Sequence, residues 1–364
     1  MLTSLHFPTD VTIGRVLIKD EHSNTLWHVF AEARGEVLVS AEKDVGIQID
    51  KKAFTGLKSL LGSAPTSLCF LDLSEVEISN EDLTYLNNLT ELQELSIAKV
   101  SGSWLSSVRL DNLRRLKISF SEINRTDLTH LANLPFLSSL QLVYSGIDSG
   151  GFQLISELSA LEDLSLQGSW LDSLDLSPLH SLSRLRRLSF TDTPFNDHDI
   201  SDLHPLSSLR YLDLGLTKIS DNGMRQLRKL TDLESLGLWE TKTGDKGLYL
   251  LKELSKLRSL DISDTRITNA GLAHIGKMSC IEELQLLNTR INDLGLNHLE
   301  RLSNLKQLDL MGTPISDRGI NCLAKLRSLE YLRLVDTQVS TIGLVELKQK
   351  LPTCHIEPKT TTLP

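Results

Sequence analysis

The chain is poor in the residues that staple a small fold or carry covalent chemistry. It has only four cysteines in 364 residues, Cys69, Cys280, Cys322 and Cys354. None forms a C-x-x-C pair and they do not cluster, which excludes a disulfide framework and reads as reduced thiols. Aromatic residues make up 5% of the chain against 40% apolar residues in all, so its core is aliphatic. No stretch approaches the roughly 20 apolar residues that cross a bilayer. The first residues, MLTSLHFPTD, lack a basic segment and an apolar run, so no signal peptide is expected and the expected location is cytoplasmic. Without that signal, the sequons at Asn88 and Asn124 read as accidental. There is no excess of positive charge, since 38 basic against 47 acidic residues leave a net charge of -9. Nucleic acid, whose phosphates demand a basic stripe, is therefore not expected as the main partner; a protein with a basic patch is. Phosphate loops, H-E-x-x-H, G-x-S-x-G and dinucleotide glycine fingerprints are all missing. The chain reads as a non-enzyme without cofactor.

What the chain does have is a period. Leu137, Leu161, Leu185, Leu209, Leu233, Leu257, Ile281, Leu305 and Leu329 each follow the last by 24 residues. Earlier units open at Leu68, Leu92 and Leu113, giving about twelve units. Within a unit, counted from the opening residue as offset 0, apolar residues at offsets 0, 3 and 5 put one face of a strand into the core. Offset 8 is Ser or Thr, as at Ser121, Ser145, Ser169, Thr217, Thr265 and Thr313; a hydroxyl there can satisfy backbone groups left unpaired by a turn. Offset 12 carries Asp197, Asp221, Asp245, Asn269, Asp293 and Asp317, good helix N-caps. Glycine follows two positions later, then apolar residues at offsets 15, 18 and 21, one face of a short helix. Each unit is thus strand, turn, helix. The unit from Leu92 is three residues short and carries Val100–Trp104 in place of a helix signal, which predicts loss of that helix.

Residues 1–66 fall outside the period and read as a β-rich N-terminal cap or small domain, with strands over 12–19, 27–33, 36–40 and 46–49 and a short helix over 54–61. Such a cap would cover the open edge of the first repeat. The array fills residues 67–357, with a last strand at Cys354–Ile356, and residues 358–364 read as a disordered tail.

The segments Thr217–Met224, Thr265–Leu272 and Thr289–Leu296 resemble bacterial leucine-rich-repeat proteins of the T-x-I-T-D-x-G-L type and the repeat region of F-box leucine-rich-repeat proteins. The likeness covers residues 68–357, and the ending Leu351-Pro-Thr-Cys-His-Ile356 is similar to the way such bacterial arrays finish. It implies an α/β fold, a right-handed leucine-rich-repeat horseshoe with a concave parallel sheet and convex short helices. It also implies protein–protein recognition, with no catalytic residues to carry over.

Strand offsets 2, 4 and 6, with 7 at the rim, face outward in this reading. In the C-terminal half they hold Tyr211, Leu216, Trp239, Leu287, Met311, Tyr331 and Val335, an apolar and aromatic patch of the kind that anchors interfaces. Asp213, Asp261 and Asp309 share offset 4, and Glu240, Asp264, Glu283 and Asp336 flank them; these acids would steer a basic partner. Arg115, Lys117 and Arg187 make the N-terminal half of that face more basic. His274, His298 and Cys322 share offset 17, but neighbouring helices some 8–10 Å apart overshoot zinc distances near 2.0–2.3 Å, so helix packing explains them. Asp197, His198, Asp199, Asp202 and His204 read as capping residues. The expectation is a monomeric, non-catalytic interaction module that binds a protein on its strand face and does not engage membrane. The alternatives are a recognition subunit, or an inhibitor or regulator, of a ligase, protease or toxin. Self-assembly through the N-terminal strands is a third reading.

Overall fold

The computed structural model describes residues 2–7, 9–19, 26–40, 42–51, 68–147, 150–170 and 175–357. The helix expected over 54–61 and the tail 358–364 lie outside them. The chain forms two compact units, Met1–Leu185 and Arg186–Pro364. No helix among the described residues is long and apolar enough to cross a membrane.

The first unit begins with five strands, β1 (Leu2–His6), β2 (Gly14–Lys19), β3 (Trp27–Glu32), β4 (Glu36–Ser40) and β5 (Val45–Ile49). β1 pairs antiparallel with β4, a strand the sequence pattern did not announce. β2 lies antiparallel between β3 and β5, and β5 runs parallel to the first repeat strand, β6 (Leu68–Leu73). The leader sheet therefore pairs the edge that the first repeat would otherwise leave open. β7 (Glu94–Ala98), β8 (Arg115–Ser119), β9 (Ser139–Val143) and β10 (Asp163–Ser165) follow in parallel.

A polar cluster fastens leader to repeats. Glu94, almost wholly buried, accepts from Trp27 Nε1 at 3.1 Å and pairs with Lys19 at 3.4 Å and with Arg115. A buried charge needs such partners to offset lost hydration. Gly46 has no Cβ because one would lie 2.8 Å from Phe70 Cδ1 and 3.2 Å from Trp27 Cζ3; its absence lets those rings meet at 5.1 Å. In the short repeat a 3₁₀ turn, Trp104–Ser107, replaces the helix, as its missing signal predicted. Trp104 is buried there.

The second unit is more regular. Strands β11 (Arg187–Ser189), β12 (Tyr211–Asp213), β13 (Ser235–Gly237), β14 (Ser259–Asp261), β15 (Glu283–Gln285), β16 (Gln307–Asp309), β17 (Tyr331–Arg333) and β18 (His355–Glu357) are three residues each. They pair in parallel with no register shift, Leu212 opposite Leu236, then Leu260, Leu284, Leu308 and Leu332. Those leucines are buried, as are Leu214, Leu238, Ile262 and Leu286 two residues on. Across the core lie short helices such as Asp245–Leu251, Asn269–Ile275 and Thr341–Lys350. Their inward residues, among them Leu248, Leu272 and Ile275, are equally buried.

The acids at offset 12 do not cap their own helices. The caps lie one residue earlier: Thr268, Asn292, Ser316 and Ser340 accept from the helix's first turn. The offset-12 carboxylates instead reach into the following repeat. Asp197 accepts from Ser220 N at 2.8 Å and Oγ at 2.6 Å, Asp245 from Thr268 N at 2.8 Å and Oγ1 at 2.7 Å. Asp293 takes Ser316 and Asp317 takes Ser340 in the same way. This carboxylate occupies the space beside the next helix, which explains the glycine of the motif. A Cβ at Gly223 or Gly247 would lie 2.6 Å from Asp197 Oδ1 or Asp221 Oδ1. The T-x-I-x-D-x-G-L signature is thus an inter-repeat staple with its clearance.

Candidate partner-binding face

Side chains alternate across a strand, so offsets 2 and 4 of each three-residue strand in the second unit point away from the core. The backbone then turns at offset 7 through the left-handed region: Leu216 φ 55°, Glu240 51°, Asp264 54°, Asn288 54° and Asp336 54°. Such a conformation costs a non-glycine residue roughly 1–2 kcal/mol and survives because its surroundings fix it. The N–H of Leu216 donates to Trp239 O at 2.9 Å, that of Glu240 to Ser263 O at 2.9 Å, that of Asp264 to Leu287 O at 2.8 Å. One residue on, Thr217, Thr265 and Thr313 donate their hydroxyls back to the carbonyls of Leu214, Ile262 and Leu310 at 2.5–2.6 Å. The offset-8 hydroxyls therefore do satisfy turn backbone.

On this frame Tyr211 is half-buried beneath the Arg187 guanidinium, 4.1 Å from its ring centroid. Trp239 is half-buried and lies flat on Gly215, where any Cβ would overlap the indole. Leu287 and Met311 are half-buried at the same offset. Tyr331 stacks on His355 at 5.6 Å and donates its hydroxyl to Glu357. Leu216 is exposed at the rim. Val335 does not belong to this surface, being 5% exposed. Offset 6 lies beyond the end of the three-residue strand, so strict alternation no longer governs it. The turn half-covers the large side chains there and hides the small Val335.

The acids are less free than their spacing suggests. Asp213 Oδ1 accepts from Gly215 N at 3.0 Å, Asp261 Oδ1 from Ser263 N at 3.0 Å and Asp309 Oδ1 from Met311 N at 2.8 Å. Each closes the strand's exit turn. Burial pushes the Asp261 carboxyl above the usual carboxylate range, and the charges of Asp213 and Asp309 add to the rise. Asp309 also pairs with Arg333 at 3.3 Å, and Arg333 with Glu357 at 3.4 Å. A shallow depression of about 160 Å³ opens between Glu283, Gln285, Gln307, Asp309, Tyr331 and Arg333. Glu240, Asp264 and Asp336 are exposed.

Among the described residues, no group of three or more His, Cys, Asp or Glu side chains is placed to hold a metal ion. His274 meets Tyr249 edge-on at 5.2 Å, and Cys322 Sγ lies 3.1 Å from Asn297 Oδ1. Asp197 is the staple to Ser220, and Asp199 accepts from Asn196 N at 2.7 Å. Arg115 is committed to Glu94, while Lys117 is exposed.

One feature escaped the sequence reading. In the first unit Phe120 and Tyr144 take the left-handed position, φ 51° and 48°, and their rings stack at 5.3 Å and 8°. Trp170 is exposed two positions beyond that column. The signal is present in the sequence as aromatics at offsets 7 and 9, outside the C-terminal half that holds the expected patch.

A family model described as Leucine Rich repeat matches residues 206–227, 253–276 and 301–324. No curated protein matches the sequence. Among solved structures, an internalin from Listeria monocytogenes is similar with a TM-score of 0.55, 23% identity and 87% of each chain covered. A leucine-rich-repeat protein of Leptospira interrogans is similar with a TM-score of 0.50 and 17% identity, over 86% of this chain and 88% of that one. At these identities the likeness speaks to fold.

Proposed function

Taking as premise that the chain is a leucine-rich-repeat protein, we propose that it is a non-catalytic interaction module that binds a protein partner on the strand face of residues 186–357. Leucine-rich-repeat proteins generally mediate protein–protein contacts, and a periodic sheet offers a surface rather than a closed, dry pocket. The observation that carries the reading is the row Tyr211, Trp239, Leu287, Met311 and Tyr331, large side chains only half covered on a backbone with no register shift. Half-buried aromatics held in place lose little entropy on binding, which suits them as anchors. Leu216 and Glu240 form the rim. Asp213, Asp261 and Asp309 shape the exit turns and leave negative charge beside the anchors, which favours a basic contact patch.

The test is affinity capture with cross-linking mass spectrometry on wild type and on the Trp239→Ala, Met311→Ala variant. The expected result is a partner cross-linked to residues 186–357 and lost in the variant, with Trp239→Ala alone weakening binding by about 2 kcal/mol or more. A partner retained by the variant and cross-linked to the N-terminal strands or the helices would overturn the reading.

A further inference from the structure

Two residues beyond the left-handed column, the second unit carries Lys218, Lys242, Arg266 and Arg290, one per repeat and all exposed. Their backbones are fixed. Each N–H donates to the preceding repeat, to Phe195 O and Ile219 O at 2.9 Å and to Thr243 O and Ile267 O at 3.2 Å. The side chains therefore start from points stepped by one strand spacing, about 4.8 Å, and span about 14 Å. Among the described residues none of the four makes a side-chain ion pair or hydrogen bond; the unit's ion pairs are made by other cations, such as Arg258, Lys306 and Arg333. Among the described residues the acids beside them make no ion pair with them: Glu240 is exposed, and Asp264 accepts from Asn288 Nδ2 at 2.9 Å. Pro194 and Pro314 bound the column at the same offset. In the first unit that offset holds Glu77, Ser101, Glu122, Gly146 and Trp170. Four adjacent free cations on a chain of net charge -9 are a local field against the overall one.

We propose that this column is a docking ladder for an extended acidic segment of a protein partner. An extended peptide presents alternate side chains on one face every 6.6–6.8 Å or so, so three alternate carboxylates cover the ladder's length within reach of the Lys and Arg stems. Arg266 and Arg290 can fork onto carboxylates in bidentate fashion. A uniformly charged polyanion fits less well, since it would run beside Glu240 and Asp264. A peptide can turn its uncharged alternate residues towards them. The ladder shares no residue with the strand-face anchors, so the two readings stand or fall separately.

The test is fluorescence polarisation of a labelled peptide of alternating glutamate and serine, with three glutamates, and the full chain at low and moderate salt. The expected result is salt-sensitive binding that weakens at least about tenfold in Lys242→Glu, Arg266→Glu. Lys229→Glu, Lys277→Glu, which makes the same charge change at exposed helix-side positions, should leave binding within about threefold. If the reversal variant melts early, Lys242→Gln, Arg266→Gln gives the same comparison. Absence of peptide binding by wild type, equal loss in both variants, or tighter binding of heparin or oligothymidylate than of the peptide would each overturn the proposal.

Discussion

The two units use one repeat grammar and hold it together differently. In the second, the offset-8 residue is threonine and bonds within its own repeat, and the link between repeats is the offset-12 staple. In the first, serines at offset 8 do the linking: Val100 N donates to Ser121 Oγ at 3.1 Å, Ser121 N to Ser145 Oγ and Ser145 N to Ser169 Oγ, both at 3.4 Å. Of its described offset-12 residues, Asn80 reaches Ser101 O in the following repeat at 3.0 Å as an uncharged donor, and the Arg125 side chain bonds to none of the described residues. Two of the offset-8 serines also donate within their own repeat, Ser121 Oγ to Ser119 O at 2.8 Å and Ser145 Oγ to Val143 O at 3.1 Å, so one hydroxyl serves two repeats. The regular unit thus links repeats by charged, short hydrogen bonds on the helix side, the irregular one by neutral hydroxyl bonds at the strand exits together with amide bonds such as Asn80 Nδ2 to Ser101 O.

Breaking the leucine core within a unit should have the largest effect. Leu260→Ala and Leu284→Ala, at fully buried sites, are expected to cost about 2–5 kcal/mol each in denaturant melts. The staple comes next and is where the units should part. Asp245→Ala strands the N–H and hydroxyl of Thr268 and should cost about 1–3 kcal/mol. Arg125→Ala, at the same offset in the first unit, should stay within roughly 0.5 kcal/mol. Equal costs would remove the contrast. Thr265→Val takes one hydroxyl from the Ile262 carbonyl and is expected to lose about 0.5–1.5 kcal/mol. The smallest effect concerns Asp261. Its folded carboxyl lies above its unfolded value because burial penalises charge. The folded state therefore holds the proton longer, and stability falls as pH rises from the ordinary carboxylate range through the raised value. Asp261→Asn should flatten that part of the stability–pH curve; an unchanged slope would assign it to another group.

Much of this was legible in the sequence because repetition multiplies weak signals. A single Leu-x-x-Leu-x-Leu says little, whereas the buried columns from Leu212 to Leu332 could be read from spacing alone. Repetition also hid things. With a period of 24, an acid beside its own helix and an acid beside the next repeat's turn look the same, so the staple was read as a cap. The outward set was legible at Tyr211 and Tyr331, inside strands, and failed at Val335, beyond one. Pairing of β1 with β4 escaped because β1 is five residues with two apolar positions, Leu2 and Leu5, too few to carry a period.

The staple also has a direction. Asp197 serves Ser220 and Asp317 serves Ser340, always forwards along the chain, and the position that would serve a further repeat is Thr341, which bears no carboxylate. The series therefore contains its own stop signal: inserting another copy after it would give that copy unclaimed turn donors, whereas duplicating an inner repeat would add both a giver and a receiver. An array written this way can grow in its middle far more easily than at that end.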